Sequence, residues 1–210
     1  MAEGLVLDRV SVAQGARVLV ALDTRVSPGE VLTVMGPSGS GKSTLLAYLV
    51  GTLSSAFAAR GRVLLNGREV TGLPAHRRGI GLLFQDDLLF PHLSVAGNLG
   101  FGLPPGPRRE RQRQIEAALD EVGLAGLGGR DPDTLSGGQR ARVALMRTLL
   151  SRPDALLLDE PFSRLDAALR DTTREVVFRT ARDRGLPVVM VTHDPEDARA
   201  ADGPVVTIGK

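Results

Sequence analysis

Val31-Leu32-Thr33-Val34-Met35-Gly36-Pro37-Ser38-Gly39-Ser40-Gly41-Lys42-Ser43-Thr44-Leu45-Leu46 joins an apolar run, a glycine-rich turn ending in lysine and hydroxyl, and a helix-forming stretch. The order strand, loop, helix turns a glycine-rich octet into an anion site. Glycines let successive backbone N–H groups face one concavity, Lys42 reaches the β- and γ-phosphates of a polyphosphate, and the Ser43 hydroxyl can ligate Mg²⁺. A helix opening at the loop adds free N–H groups and the positive end of its dipole. Residues Gly36 to Thr44 are therefore the candidate phosphate contacts. The competing reading, a surface turn before an ordinary helix, fails to explain the buried strand upstream or the Gly-Lys-Ser ending.

Working outward, 210 residues suffice for one large domain, or a domain with a lobe inserted into it. A hydrophobic share of 42% with 24% charged residues is that of an ordinary globular protein and excludes global disorder. No apolar run reaches about 18 residues, and Met1-Ala2-Glu3-Gly4 lacks a basic leader, so a chain neither secreted nor membrane-spanning by itself is expected. The absence of cysteine excludes disulfides and thiolate metal sites and fits a reducing cytoplasm. A net charge of +2 gives no argument for nucleic acid. Arg108-Arg109-Glu110-Arg111-Gln112-Arg113 has no interleaved aromatics for base stacking and reads as a solvated helix start.

Hydrophobic periodicity divides the chain. Leu5, Leu7, Val10 and Val12, then Val18, Val20 and Leu22, alternate with polar residues as half-buried antiparallel strands do. Asn66-Gly67 between Val63-Leu64-Leu65 and Arg68-Glu69-Val70 predicts a hairpin turn. Ile80 to Phe84, Ala155 to Leu158 and Val188 to Val191 are continuous apolar runs that suit strands buried on both faces of a parallel sheet. Between Gln85 and Asp131 the pattern turns helical, with Ile115, Leu119 and Val122 on one face, Gly123 as the stop and Gly102 to Pro107 as a loop. The expected fold is an α/β core, a mixed sheet with antiparallel N-terminal strands, carrying a helical subdomain at about 86–150.

Two further motifs carry chemistry. Asp159 and Glu160 follow the run Ala155 to Leu158 and would emerge at the C-terminal edge of a buried strand, where open α/β sheets bind ligands. Asp159 suits a metal shell and Glu160 the orientation and deprotonation of an attacking water. Taken alone they read equally well as solvated acids opening a turn at Pro161; beside the phosphate loop the catalytic reading leads. Leu135-Ser136-Gly137-Gly138-Gln139 precedes a helical stretch and offers a second helix N-terminus for an anion.

With Gln85 after a strand, Leu-Ser-Gly-Gly-Gln at 135–139, Leu-Leu-Leu-Asp-Glu-Pro at 156–161 and His193 in that order, nearly the whole chain resembles an ABC-transporter ATPase subunit with its P-loop core. The resemblance implies ATP and Mg²⁺ as ligands and a role for each matching residue. Gln85 would contact Mg²⁺ and the lytic water and sense a transmembrane partner. Ser136, Gly137, Gly138 and Gln139 would close over ATP held by a second copy in a head-to-tail dimer. Asp159, with Ser43, would serve the metal; Glu160 would be the general base; Asp166 would end the D-loop Ser163-Arg164-Leu165-Asp166; and His193 would touch the γ-phosphate.

Leu88 to Val95 with Asn98, and Pro161-Phe162-Ser163, resemble importer-branch ATPases for thiamine, ferric iron, molybdate, sulfate and polyamines, the thiamine type being nearest. The resemblance implies a peripheral protein at the cytoplasmic face of the bacterial inner membrane, bound to integral-membrane permease subunits through residues 86–130 and serving a solute-binding protein indirectly. Residues 1–210 read as a single ATPase domain, and no C-terminal regulatory domain is expected because the chain ends soon after His193. Two positions depart from the family. Gln14 stands where an aromatic usually stacks on adenine, so weak base discrimination is expected, and Arg164 stands where a small residue is usual, as a contact across the dimer or a solvated side chain. A soluble ABC ATPase of DNA or ribosomes is the alternative, against which the lack of coiled coils counts; a regulatory GTPase fails for want of Asn-Lys-x-Asp.

Overall fold

In the computed structural model, which describes residues 4–209 apart from the Ala168 side chain, the antiparallel and parallel strands sort into two separate sheets. Met1-Ala2-Glu3, weighed above as a leader, lie outside the described residues. In chain order the elements are β1 (Leu5–Gln14), β2 (Arg17–Val26), β3 (Val31–Met35), α1 (Lys42–Val50), β4 (Ala58–Leu65), β5 (Arg68–Glu69) and β6 (Ile80–Leu83). Three helices follow, α2 (Val95–Gly102), α3 (Arg108–Glu121) and α4 (Gly137–Leu150). The chain continues through β7 (Ala155–Asp159), α5 (Ala167–Arg184), β8 (Val188–Thr192), α6 (Pro195–Ala201) and β9 (Val205–Thr207). One sheet has the order β2-β1-β4-β5 and is antiparallel; the other is parallel, in the order β6-β7-β8-β3-β9.

The continuous apolar runs are explained by the parallel sheet, which is covered on both faces. Leu156, Leu158, Val188 and Met190 face a core shared with α2 to α5, while Leu157, Val189, Val191, Leu32 and Val34 face α1 and the antiparallel sheet. Strands with no solvent face cannot alternate. Truncating any one of these fully buried leucines to alanine costs about 2–5 kcal/mol, part transfer and part cavity.

In β1 the alternation skips a residue. Leu7 and Val10 are both buried because a bulge at Asp8-Arg9 shifts the register against β2 and β4, with Arg9 at φ 47°. Val18, read from sequence as part of the buried face, is instead 60% exposed near the tip of the β1–β2 hairpin, where Leu19 takes the inward position. The Asn66-Gly67 turn forms as expected, with φ of 50° and 79°, the double positive of a type I′ turn.

The helices between β6 and β7 pack tightly. A Cβ at Gly102 would sit 2.2 Å from the Arg147 carbonyl, so only glycine lets α2 lie this close to α4. On α3, Ile115, Ala118 and Leu119 are buried, and Gly123 leaves the helix at φ 66°. The arginine run is only partly solvated: Arg111 donates to the carbonyls of Gly100 (2.6 Å), Leu103 (2.9 Å) and Pro104, tying the Gly102–Pro107 loop to α3.

Candidate nucleotide site

The loop between β3 and α1 takes the conformation its glycines permit. Gly39 and Gly41 have φ of 77° and 98°, and Gly41 caps α1 without a side-chain hydrogen bond, leaving the first N–H groups of the helix open to an anion. Lys42 is buried, and its Nζ donates to the carbonyls of Gly36 (2.7 Å) and Pro37 (3.0 Å), which places the ammonium inside the ring of the loop. Behind the loop, a Cβ at Gly36 would lie 2.6 Å from the Ile208 carbonyl.

The parallel sheet delivers its acids to the same edge. Asp159 is the last residue of β7, and Glu160 turns sharply into the left-handed region at φ 46°. For a non-glycine residue that costs on the order of 1–3 kcal/mol. The turn is held by the Glu160 N–H donating to the Val191 carbonyl (2.9 Å) and by Ser163 Oγ donating to the Glu160 carbonyl (2.9 Å). His193 follows β8, its Nδ1 lying 3.0 Å from Glu160 Oε2. Burial is the main force pushing the Asp159 carboxyl above the ordinary range, opposed by the Ser43 hydroxyl that donates to it and by Lys42.

These groups share one cleft of about 670 Å³. It is lined by Ser38, Gly39, Gly41, Lys42, Ser43, Thr44, Gln85, Asp159, Glu160 and His193, while Gly36, Pro37 and Ser40 stand against Ile208 and Gly209. Ser43, Asp159 and Gln85 supply hard oxygen donors to it. The set suits Mg²⁺, which takes one or two carboxylates and completes its shell with phosphate and water.

Other predicted residues lie outside this cleft. Ser136 caps α4 in a capping box: its Oγ accepts from the Gln139 N–H (3.3 Å) and its own N–H donates to Gln139 Oε1 (2.9 Å), so Gly137 and Gly138 open the helix. Asp166 caps α5, accepting from the Leu169 N–H at 3.0 Å. Neither loop lines the cleft holding Lys42 and Glu160.

Three features escaped sequence reasoning. Arg17, Leu19 and Phe57 line the cleft together with Gln14. Arg164 does not lie free in solvent but pairs with Asp86, beside Gln85, and lies 3.7 Å from the buried Asp87, which also faces Arg140 of α4 at 3.4 Å. The Arg164–Asp86 pair is exposed enough to contribute about 0–1 kcal/mol. Behind His193, Arg174 of α5 is buried against Asp197, with Thr192 Oγ1 donating to the same carboxylate (2.8 Å) and Arg170 donating to Asp194 (3.3 Å). The pattern Thr192-His193-Asp194 marks the strand end, but nothing local in sequence pairs it with arginines on α5.

Comparison with known proteins bears on the family and the fold. Residues 19–163 match the family model for ABC transporters. An uncharacterized ABC transporter ATP-binding protein, YnjD, of Escherichia coli strain K12 is 50% identical over 186 residues, covering 88% of this chain and 86% of that protein. A thiamine import ATP-binding protein, ThiQ, of Cereibacter sphaeroides is 48% identical, covering 92% and 83%. A ferric-ion import ATP-binding protein, FbpC, of Yersinia pestis is 44% identical over 88% of this chain, which spans about half of that relative (53%). Among solved structures, a dimeric post-hydrolysis ATP-binding cassette bound to ADP and Pi superimposes with a TM-score of 0.83 at 27% identity, covering 97% of this chain and 94% of that one.

Proposed function

The chain belongs to the ABC transporter family of ATP-binding proteins and is an ATPase coupled to transport, and from that premise we propose an importer subunit that closes as a head-to-tail dimer around two Mg·ATP. The observation that carries the reading is the grouping of Glu160, His193 and Asp159 on the lip of the phosphate loop. With the triphosphate on residues Gly36 to Thr44 and Lys42 against its terminal phosphates, the γ-phosphorus faces Glu160. The Glu160 carboxylate accepts a proton from water as the water oxygen bonds to that phosphorus; the bridging P–O bond breaks and ADP leaves with the electron pair. His193 holds the carboxylate in place and adds a contact to the γ-phosphate. Ser43, Asp159 and Gln85 would hold Mg²⁺, which offsets the charge on the phosphates.

The loop Ser136 to Gln139 with Asp166 serves the cleft of a second copy, which explains why a cap with free N–H groups stands away from the chain's own site. The permease would dock on residues 86–130, where Leu88 and Phe101 are 56% and 68% exposed, with Phe84, 48% exposed, preceding Gln85 in the chain. Of the other apolar residues there, Leu89, Phe90 and Leu93 are half-buried. No helix among the described residues is long and apolar enough to cross a membrane. Placement at the cytoplasmic face of a bacterial inner membrane, with a solute-binding protein acting through the permease, completes the reading. The test is mass by light scattering: Glu160→Gln with Mg·ATP should double in mass, and adding Ser136→Arg should hold it monomeric. A monomer in the first case overturns the dimer.

A further inference from the structure

We propose that Phe57, the residue leading into the strand that neighbours the usual position, is the aromatic platform for the nucleotide base, with Arg17 as the facing cation; this rests on the nucleotide reading above. The first strand ends in Gln14, which has no ring to offer. In the sheet, β4 runs antiparallel to β1 with Ala58 opposite Ala13, so the next residue back along β4, Phe57, stands across from Gln14. The ring therefore reaches the place that the first strand leaves bare.

Three observations aim this corner at a base. A triphosphate whose γ-phosphate faces Glu160 runs along the loop and must send its nucleoside out at the opposite end of the cleft, which Gln14, Arg17, Leu19 and Phe57 line. That end stands directly against the phosphate loop: a Cβ at Gly41 would lie 2.9 Å from Leu19 Cβ and 3.0 Å from Val20, so β2 positions the hairpin tip on the loop itself. Phe57 is half-buried, packed against the core beside Leu19, and its N–H donates to the Ser54 carbonyl at 3.0 Å. A ring anchored on one side and facing a cleft on the other is preorganised for stacking.

Arg17 supplies the second wall. It pairs directly with Gln14 across the two-residue turn Gly15-Ala16, and no ion pair or side-chain hydrogen bond engages its guanidinium among the described residues. A free planar cation suits the second face of a π-system. The Gln14 amide carries both donors and an acceptor, so its rotation serves adenine and guanine alike.

The chain contains no tryptophan, so Phe57→Trp places a single indole at the proposed contact. ATP and GTP should change its emission, and inorganic tripolyphosphate should not. In calorimetry Phe57→Ala should weaken ATP about 5- to 100-fold, the range for losing one base stack, and leave tripolyphosphate unchanged, with Arg17→Gln giving a smaller loss of the same kind. An indole blind to ATP that still binds, or equal losses of ATP and tripolyphosphate in Phe57→Ala, overturns the platform. Failure of the unmodified chain to bind ATP or tripolyphosphate would instead sink the nucleotide site itself.

Discussion

The two ends of the nucleotide cleft are built by opposite means. The phosphate end is one continuous stretch of chain whose glycine conformations and helix start form the site, with acids delivered by the adjoining strand ends. The proposed base end is assembled from the β1–β2 hairpin tip and the start of β4, so that Phe57 meets Gln14 and Arg17 from a distant part of the sequence. A backbone-built site tolerates almost no change, because a side chain at Gly39 or Gly41 would be strained at a positive φ. A side-chain-built site can lose one residue and recover the function from a neighbouring strand.

If that contrast holds, the largest effect belongs to the phosphate end. Glu160→Gln should cut ATP turnover by about 10²- to 10⁴-fold while ATP binding persists, as measured by phosphate release and calorimetry; turnover within threefold of the parent rejects Glu160 as base. Lys42→Ala removes a charge-assisted contact and should weaken ATP and tripolyphosphate alike by about 10- to 100-fold. A smaller loss there than in Phe57→Ala would reverse the ranking of the two ends.

Asp159→Asn separates stability from function. Burial raises the Asp159 carboxyl, so the folded chain holds this proton more tightly than the unfolded one, and its stabilising contribution is lost as pH rises from about 4 through the raised value. Asn should therefore melt higher than the parent at pH 7, with the gap closing below about pH 4, while Mg²⁺-dependent turnover is lost. A lower melting temperature at pH 7 would mean that the carboxylate is better satisfied than its burial implies.

The smallest effect is expected at Gln14→Tyr. With Phe57 already across from it, a second ring should change ATP affinity by less than about threefold, where an empty platform would gain the full stacking range. A tenfold gain would show that Phe57 does not cover the base and would weaken the contrast between the two ends.

The same contrast explains what could be read from sequence. The loop conformation was legible because its spacing along the chain is its geometry, with Gly39, Gly41 and Lys42 within a few residues; Asp159 and Glu160 were legible as the end of an apolar run, and His193 only through the family motifs around it. The continuous runs at Leu156 and Val188 gave strands buried on both faces because period and burial are linked. Phe57 was illegible because its proximity to Gln14 is a fact of register between β1 and β4, further shifted by the bulge at Arg9. The pairs Arg164 with Asp86 and Arg174 with Asp197 were hidden for a related reason: charges on separate elements meet only once loops are placed.

The position of β3 has a consequence for biosynthesis. Its two neighbours in the sheet are β8 and β9, and the Ile208 carbonyl backs the loop at Gly36, so the strand that carries the phosphate loop is synthesised well before either of its flanks. A nascent chain arrested before Val188 has the whole Gly36 to Ser43 motif but neither strand that fixes it. A ligand that binds only once β8 and β9 have docked would stabilise the fold by mass action, so occupancy of the loop would report completion of this sheet.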